Sequence, residues 1–395
     1  MSPRVRAALL SAVLPLALLT ACGGDDEAAP ARSDTPAAGS SAEDASHPHT
    51  DAPVVGGKKL RAGEERVTVA MQEPYTASAP TGVGTDDYRC FLLDPGLDED
   101  KYLTGTQVLP GNPDVVHHVI LFEVPPDLVR KAEIFDGVED GPGWTCFGGT
   151  GLTPSAQIDD APWLAAWAPG GKETVTKPGY GKRLEKGSRI VMQVHYNLLA
   201  GTRADVSATQ LRLAPVSKKM TPLTTMLLPA PVELPCRPEH ADGELCDRDV
   251  ALADVKERFG EKEGSTADIL HLLCGEIDPG AWQSCKRTVK EPMTIHGVAG
   301  HMHLLGRQLK IEVNAGTDRA RTVLDIPVWD FDQQGGIPIK PVALKPQDTV
   351  TVSCRHVQWL RDQLPSFEGQ PDRYVVWGEG TTDEMCLGML QYSRP

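Results

Sequence analysis

Apolar residues in this 395-residue chain fall in short runs rather than in long helical stripes. Segments of strand character, bounded by Gly, Pro and Asp, recur at Val115–Val124, Arg189–Leu199, Ala208–Pro215, Leu309–Val313, Thr349–Cys354 and Tyr374–Gly378. The 38 glycines and 33 prolines supply the turns between them. The clearest helical stretch is Asp249–Phe259, in a polar, cysteine-containing region at about 235–285 that separates two strand-rich halves. This patterning predicts an all-β protein with one domain over 66–225 and a second over 226–395, the insertion lying in the second. No internal repeat is visible.

The N-terminus changes where the chain is expected to live. Arg4 and Arg6, the apolar run Ala7–Leu19 and the ending Leu19-Thr20-Ala21-Cys22 read as a lipoprotein signal peptide over 1–22. Cys22 would then be the lipidated first residue of an exported protein, anchored to the bacterial cell envelope on its periplasmic or extracellular face. A membrane span is the competing reading, but the run is shorter than the about 20 apolar residues a span requires. Residues 23–65 are dominated by Ala, Ser, Pro, Gly, Asp and Glu and predict a disordered tether. His47 and His49 fall within it and read as linker, since no further ligand stands nearby.

Eight cysteines follow Cys22: Cys90, Cys146, Cys236, Cys246, Cys274, Cys285, Cys354 and Cys386. An even number in an exported chain predicts up to four disulfides, and the lack of any C-x-x-C pair argues against structural zinc. The net charge of −15 makes nucleic acid an unsuitable partner.

Four short patterns carry candidate chemistry: His117-His118, Gln193-Val194-His195-Tyr196, His301-x-His303 and Asp383-Glu384-Met385-Cys386. Residues two apart on a strand share a face about 6.5 to 7 Å apart, so His301 and His303 can converge on one ion. Adjacent strand residues face opposite ways. His117 and His118 could therefore share an ion only at a strand end or a bulge, which the turn-rich lead Gly111-Asn112-Pro113-Asp114 allows. His195 on a second strand would complete a three-nitrogen set. Imidazoles suit copper, zinc, iron or nickel alike, whereas the thioether of Met385 is a soft ligand that favours Cu(I).

Taken together and in this order, the four patterns resemble the copper-site motifs of the peptidylglycine α-hydroxylating and dopamine β-monooxygenase family. The resemblance spans about Tyr88 to Tyr392. It implies two jelly-roll β-sandwich domains, each with one copper ion on the wall of a shared, solvent-filled cleft. The N-terminal copper, held by His117, His118 and His195, would take electrons from ascorbate or another one-electron donor. The C-terminal copper, held by His301, His303 and Met385, would bind and activate dioxygen, making these three the catalytic set. The family pattern also implies disulfides Cys90–Cys146 and Cys354–Cys386; among Cys236, Cys246, Cys274 and Cys285, three pairings stay open. Two departures bear on substrate. Ala299 stands where the peptide hydroxylase has an arginine for the substrate carboxylate, and Leu387 where it has an asparagine, so the expected substrate is a different small molecule.

Other readings of the same residues are a non-catalytic copper-binding or copper-trafficking lipoprotein and, more remotely, a zinc hydrolase, which would have no use for Met385. His296 and His356 read as surface or supporting residues, and Trp144, Trp163 and Trp167 as core or as cleft lining.

Overall fold

The computed structural model describes residues 57–79, 85–153, 163–275 and 278–395; the signal peptide, Cys22, His47 and His49 lie outside these. Among the described residues the first half contributes eight principal strands: β1 (Glu65–Ala70), β2 (Asp86–Leu93), β3 (Lys101–Leu109), β4 (Val116–Val124), β5 (Trp163–Trp167), β6 (Tyr180–Leu184), β7 (Arg189–Asn197) and β8 (Ala208–Pro215). Helix α1 (Val129–Asp136) lies between β4 and β5. The second half contributes β9 (Thr224–Ala230), β10 (Trp282–Thr288), β11 (Met293–His301), β12 (Gly306–Val313), β13 (Arg321–Ile326), β14 (Ile337–Leu344), β15 (Thr349–His356) and β16 (Cys386–Ser393).

Hydrogen bonding arranges the first eight as two antiparallel sheets, β1-β8-β3-β6 and β2-β7-β4-β5. The second eight form β9-β16-β11-β14 and β10-β15-β12-β13, also antiparallel. Adding eight to each strand number of the first pair gives the second pair. This strand order is the jelly roll, and the chain makes it twice.

Each sandwich closes on its own apolar layer. In the first, Leu103, Leu211 and Leu213 meet Val119, Leu121, Met192 and Val194 from the facing sheet. Strand β7 is buried on both faces because α1, Trp144 and Cys146 cover its outer side, so it reads as a continuous apolar run rather than an alternating one. In the second, Leu228, Ile295 and Leu390 meet Leu309, Ile311 and Val352, and β15 alternates buried with partly buried positions. Trp163 packs against both the second core and the outer layer of the first. The buried Lys182 joins the halves by donating to the Trp163 carbonyl at 2.6 Å and to Thr225 Oγ1 at 2.5 Å.

The insertion carries two helices, α2 (Arg248–Phe259) and α3 (Glu261–Cys274). Asp247 caps α2 by accepting from the Asp249 and Val250 amides, and Ala251, Leu252 and Val255 bury its inner face. Helix α3 escapes the sequence pattern because Gly264, Ser265 and Thr266 are weak helix formers; burial of Ala267 and Leu270 in the second core holds it instead. Strand β10 begins at Trp282, so Cys285 belongs to the sandwich and the insertion ends before it. Residues just before β1 are packed rather than tethering: Arg212 donates to the Lys59 carbonyl at 2.8 Å and to Glu64 Oε2 at 2.6 Å.

Four disulfides join Cys90 to Cys146, Cys236 to Cys246, Cys274 to Cys285 and Cys354 to Cys386. A chain so cross-linked belongs to an oxidising compartment. No helix among the described residues is long and apolar enough to cross a membrane. Non-reducing peptide mapping is expected to return these four pairs. Replacing Cys354 and Cys386 together by Ala is expected to cost about 2–4 kcal/mol in chemical denaturation; any cross-pairing with Cys236 or Cys246 would contradict the arrangement.

Candidate metal centre

The first three histidines meet through a break in strand register. Strand β4 pairs with β7 so that Val116 faces Tyr196 and His118 faces His195, leaving His117 as an extra residue at the bulge. The lead into β4 fixes this start: the amides of Val115 and Val116 both donate to the Asn112 carbonyl, at 3.2 and 3.1 Å. A bulge reorients one side chain, which is what adjacent residues need to face one point. His118 Nδ1 lies 3.3 Å from His117 Nδ1 and 3.1 Å from His195 Nδ1. One ligand atom from each of the three lies within 4.8 Å of the others.

The second pair is built differently from the expectation that both residues lie on one strand. Strand β11 ends at His301, whose partner across the ladder is Leu387. His303 stands in the turn before β12, where no further strand residue of β16 pairs. The buried Glu384 carboxylate fixes that turn by accepting from the His303 amide at 3.0 Å and the Leu305 amide at 2.5 Å. The rings of His301 and His303 are 5.1 Å apart between centroids. Met385 is buried, directly after Glu384 and two residues before the strand partner of His301.

The two sets adjoin. The His118 and His301 ring centroids are 5.6 Å apart, so the cleft expected between them is closed here. Two loops of the second sandwich close it. From one, Phe331 stacks on His117 at 4.4 Å and Gln334 Oε1 contacts His301 Nδ1 at 2.5 Å. From the other, Thr381 donates to Asp86 and the Glu379 carbonyl accepts from the Tyr88 hydroxyl at 2.8 Å. Tyr88 also stacks on His195 at 4.1 Å, its place across the β2–β7 ladder.

Electrostatics leave these rings with free lone pairs. Burial, with His195 and His301 nearby, pushes His117 down to about 3. Burial likewise lowers His301 to about 4, against the Gln334 contact, and drives His118 and His303 well below the usual histidine range. Burial alone would raise the Asp86 carboxyl, but the bonds from His195 and Thr381 outweigh it and leave Asp86 at about 2. An ionised Asp86 only accepts, so His195 carries hydrogen on Nε2, 2.8 Å away, and a neutral ring presents Nδ1 as a lone pair. His118 Nδ1 can donate to one neighbour but not to two. His303 is 1% exposed with no hydrogen-bond partner at either ring nitrogen, and His117 Nε2 is also without one. Buried polar atoms left this way are costly unless something coordinates them. The donor set therefore fits metal ions, through Nδ1 in the first set, and through Nε2 of His301 given its Nδ1 contact with Gln334.

The structure brings together His117, His118, His195, His301 and His303. Sequence reasoning named these five but missed Asp86, Tyr88, Phe331, Gln334 and Thr381, which carry no motif of their own. His356 is buried beside Glu384, 3.1 Å from the Met385 carbonyl, and His296 bonds Ser393 Oγ at 2.8 Å; neither joins the five rings. Trp144 is core, donating to the Thr150 carbonyl at 3.0 Å. A cavity of about 730 Å³ lined by Arg237, Arg361 and Phe367 shares no residue with this centre.

No protein-family model and no curated protein matches the chain. Among solved structures it is similar to the major capsid protein P2 of bacteriophage PM2, at 9% identity over 83% of this chain and 97% of that one, with a TM-score of 0.27. An allantoicase shares 10% identity over 82% of this chain and 91% of its own, with a TM-score of 0.19. A striped bass fucolectin shares 7% over 84% and 97%, with a TM-score of 0.17. Likenesses this low carry no argument about function.

Because the unfolded chain takes up histidine protons near pH 6.5 and the folded chain holds them off until about 3 to 4 at His117 and His301, acidification below about 6.5 favours unfolding of the metal-free protein. Its melting temperature is expected to fall between pH 7 and pH 5, with both rings still neutral at pH 5 by NMR. Protonation of either ring between pH 6 and 7 would contradict this.

Proposed function

We propose that the chain is an exported, lipid-anchored monooxygenase that binds two copper ions and hydroxylates a C–H bond of a small substrate. One atom of dioxygen enters the substrate and the other leaves as water, with two electrons from ascorbate or a similar donor and two protons. The observation that carries the proposal is the gathering of five imidazoles from both sandwiches, three of them buried, with the buried Met385 directly after the Glu384 that holds the His303 turn. Copper bound there would supply one-electron redox steps and a site for dioxygen.

The chain's own residues prepare that chemistry. Asp86 fixes the His195 tautomer and ring orientation, and Gln334 does the same for His301. The disulfide Cys354–Cys386 ties the residue after Met385 to β15. Phe331 and Tyr88 wall the rings with apolar surface, which keeps bulk water from competing for the ligands. Met385 as a thioether ligand with His301 and His303 would favour Cu(I) at the second set, while His117, His118 and His195 would support both oxidation states at the first. The anchor at Cys22 would hold the centre at the envelope surface.

The purified full chain is expected to bind two copper ions by mass spectrometry and to consume dioxygen with ascorbate when substrate is supplied. Replacing His117 and His118 by Ala should remove one ion and leave the other. Met385→Ile nearly conserves volume, so the fold and the first set should survive while hydroxylation falls severely; a variant as active as the parent would reduce Met385 to core packing. Glycine-extended peptides are expected to be poor substrates, because Ala299 and Leu387 offer no partner to a buried carboxylate. Efficient hydroxylation of such a peptide would contradict the substrate reading.

A further inference from the structure

Asp86 is a single buried carboxylate shared by the two halves of the centre. Its Oδ1 accepts from His195 Nε2 at 2.8 Å, from the Thr381 amide at 3.2 Å and from Thr381 Oγ1 at 2.5 Å. His195 belongs to the first metal set, and Thr381 lies four residues before Met385 on the segment that leads into β16. We propose that Asp86 is a positioning residue for both sets, so that placement of the Met385 ligand depends on a carboxylate from the other sandwich. This rests on the copper reading above.

Thr381 can transmit the position of Asp86 because the rest of its segment is tightly held. The Tyr88 hydroxyl donates to the Glu379 carbonyl at 2.8 Å, a second tie from β2. Arg258 of α2 grips Asp383 with two bonds, at 2.8 and 2.7 Å, and the Gly380 amide donates to the same carboxylate at 3.1 Å. A Cβ at Gly378 would lie 2.8 Å from Asp383 Cβ, so this fold-back leaves no room for a side chain there. Glu384 then fixes the His303 turn. Residues 379–384 thus run as a strap with anchors on β2, on the insertion helix and on the backbone of the His303 turn. With a metal ion bound, the His195 N–H donated to Asp86 would be polarised and that bond strengthened. Asp86 in turn sets Thr381, and any coupling between the two sets must be reciprocal.

The test uses the full chain loaded with Cu(I), read by competition with a chromophoric chelator and by the Cu–S contribution to copper X-ray absorption. Thr381→Val keeps the volume and the backbone amide, removes the hydroxyl, and touches no proposed ligand. It should leave two ions bound, weaken the second by about tenfold, as expected for loss of an outer hydrogen bond, and diminish the Cu–S signal. Thr381→Ser should restore both. Asp86→Asn should weaken both ions, and adding Thr381→Val to it should change little more, as for two members of one network. The proposal is overturned if the parent binds two ions with a Cu–S signal and Thr381→Val and Asp86→Asn both leave the second ion and that signal unchanged. Should Asp86→Asn fail to fold, the Thr381→Val and Thr381→Ser pair decides. A parent that binds no copper would instead remove the copper reading itself, along with anything built on it.

Discussion

The register break between β4 and β7 determines where the first three imidazoles point. In an unbroken ladder His117 and His118 would face opposite sides of the sheet, and only one could meet His195. The extra residue at His117 lets both rings turn toward His195, with His118 Nδ1 within 3.3 Å of the Nδ1 atoms of both others. The jelly roll around it makes the break affordable. Strand β7 is buried on both faces and bonded on both edges, so β4 is held firmly beyond the bulge.

The second constraint is the fit of one sandwich against the other. Each brings loops that reach across: Phe331 onto His117, Gln334 beneath His301, Thr381 and Glu379 onto β2. The result differs from the open cleft implied by the family resemblance. With His118 and His301 in ring contact, the imidazoles form one continuous cluster rather than two sites facing across water. The insertion takes part as well, since α2 both packs on the second core and holds Asp383 through Arg258.

Much of this was legible in the sequence, and the rest was not, for physical reasons. Turn residues before His117 signalled a strand start or bulge because they act locally, and a bulge is what formed. Strands such as Ala208–Pro215 stood out because Gly and Pro bound a short apolar run. The motif order pointed to the pairs Cys90–Cys146 and Cys354–Cys386, and both form. The two jelly rolls were implied by the motif resemblance and both form, but the residue pattern alone shows only strands, because strand order is set by long-range pairing, which leaves no periodic trace in the residues themselves. The spacing of His301 and His303 suggested one strand face, yet the strand stops at His301 because its partner β16 begins only at Cys386. Asp86, Gln334 and Thr381 act across the two halves, up to 295 residues apart in sequence, so no local pattern marks them.

The contact between His118 and His301 joins the two sets of imidazoles into one cluster. Electron paramagnetic resonance of the full chain carrying two Cu(II) ions tests it directly, because ions held by adjoining rings interact magnetically. The expected spectrum is broadened by that interaction and sharpens to an isolated signal when His117 and His118 are replaced by Ala and one ion is lost. Two ions per chain giving the simple sum of two isolated signals would contradict it.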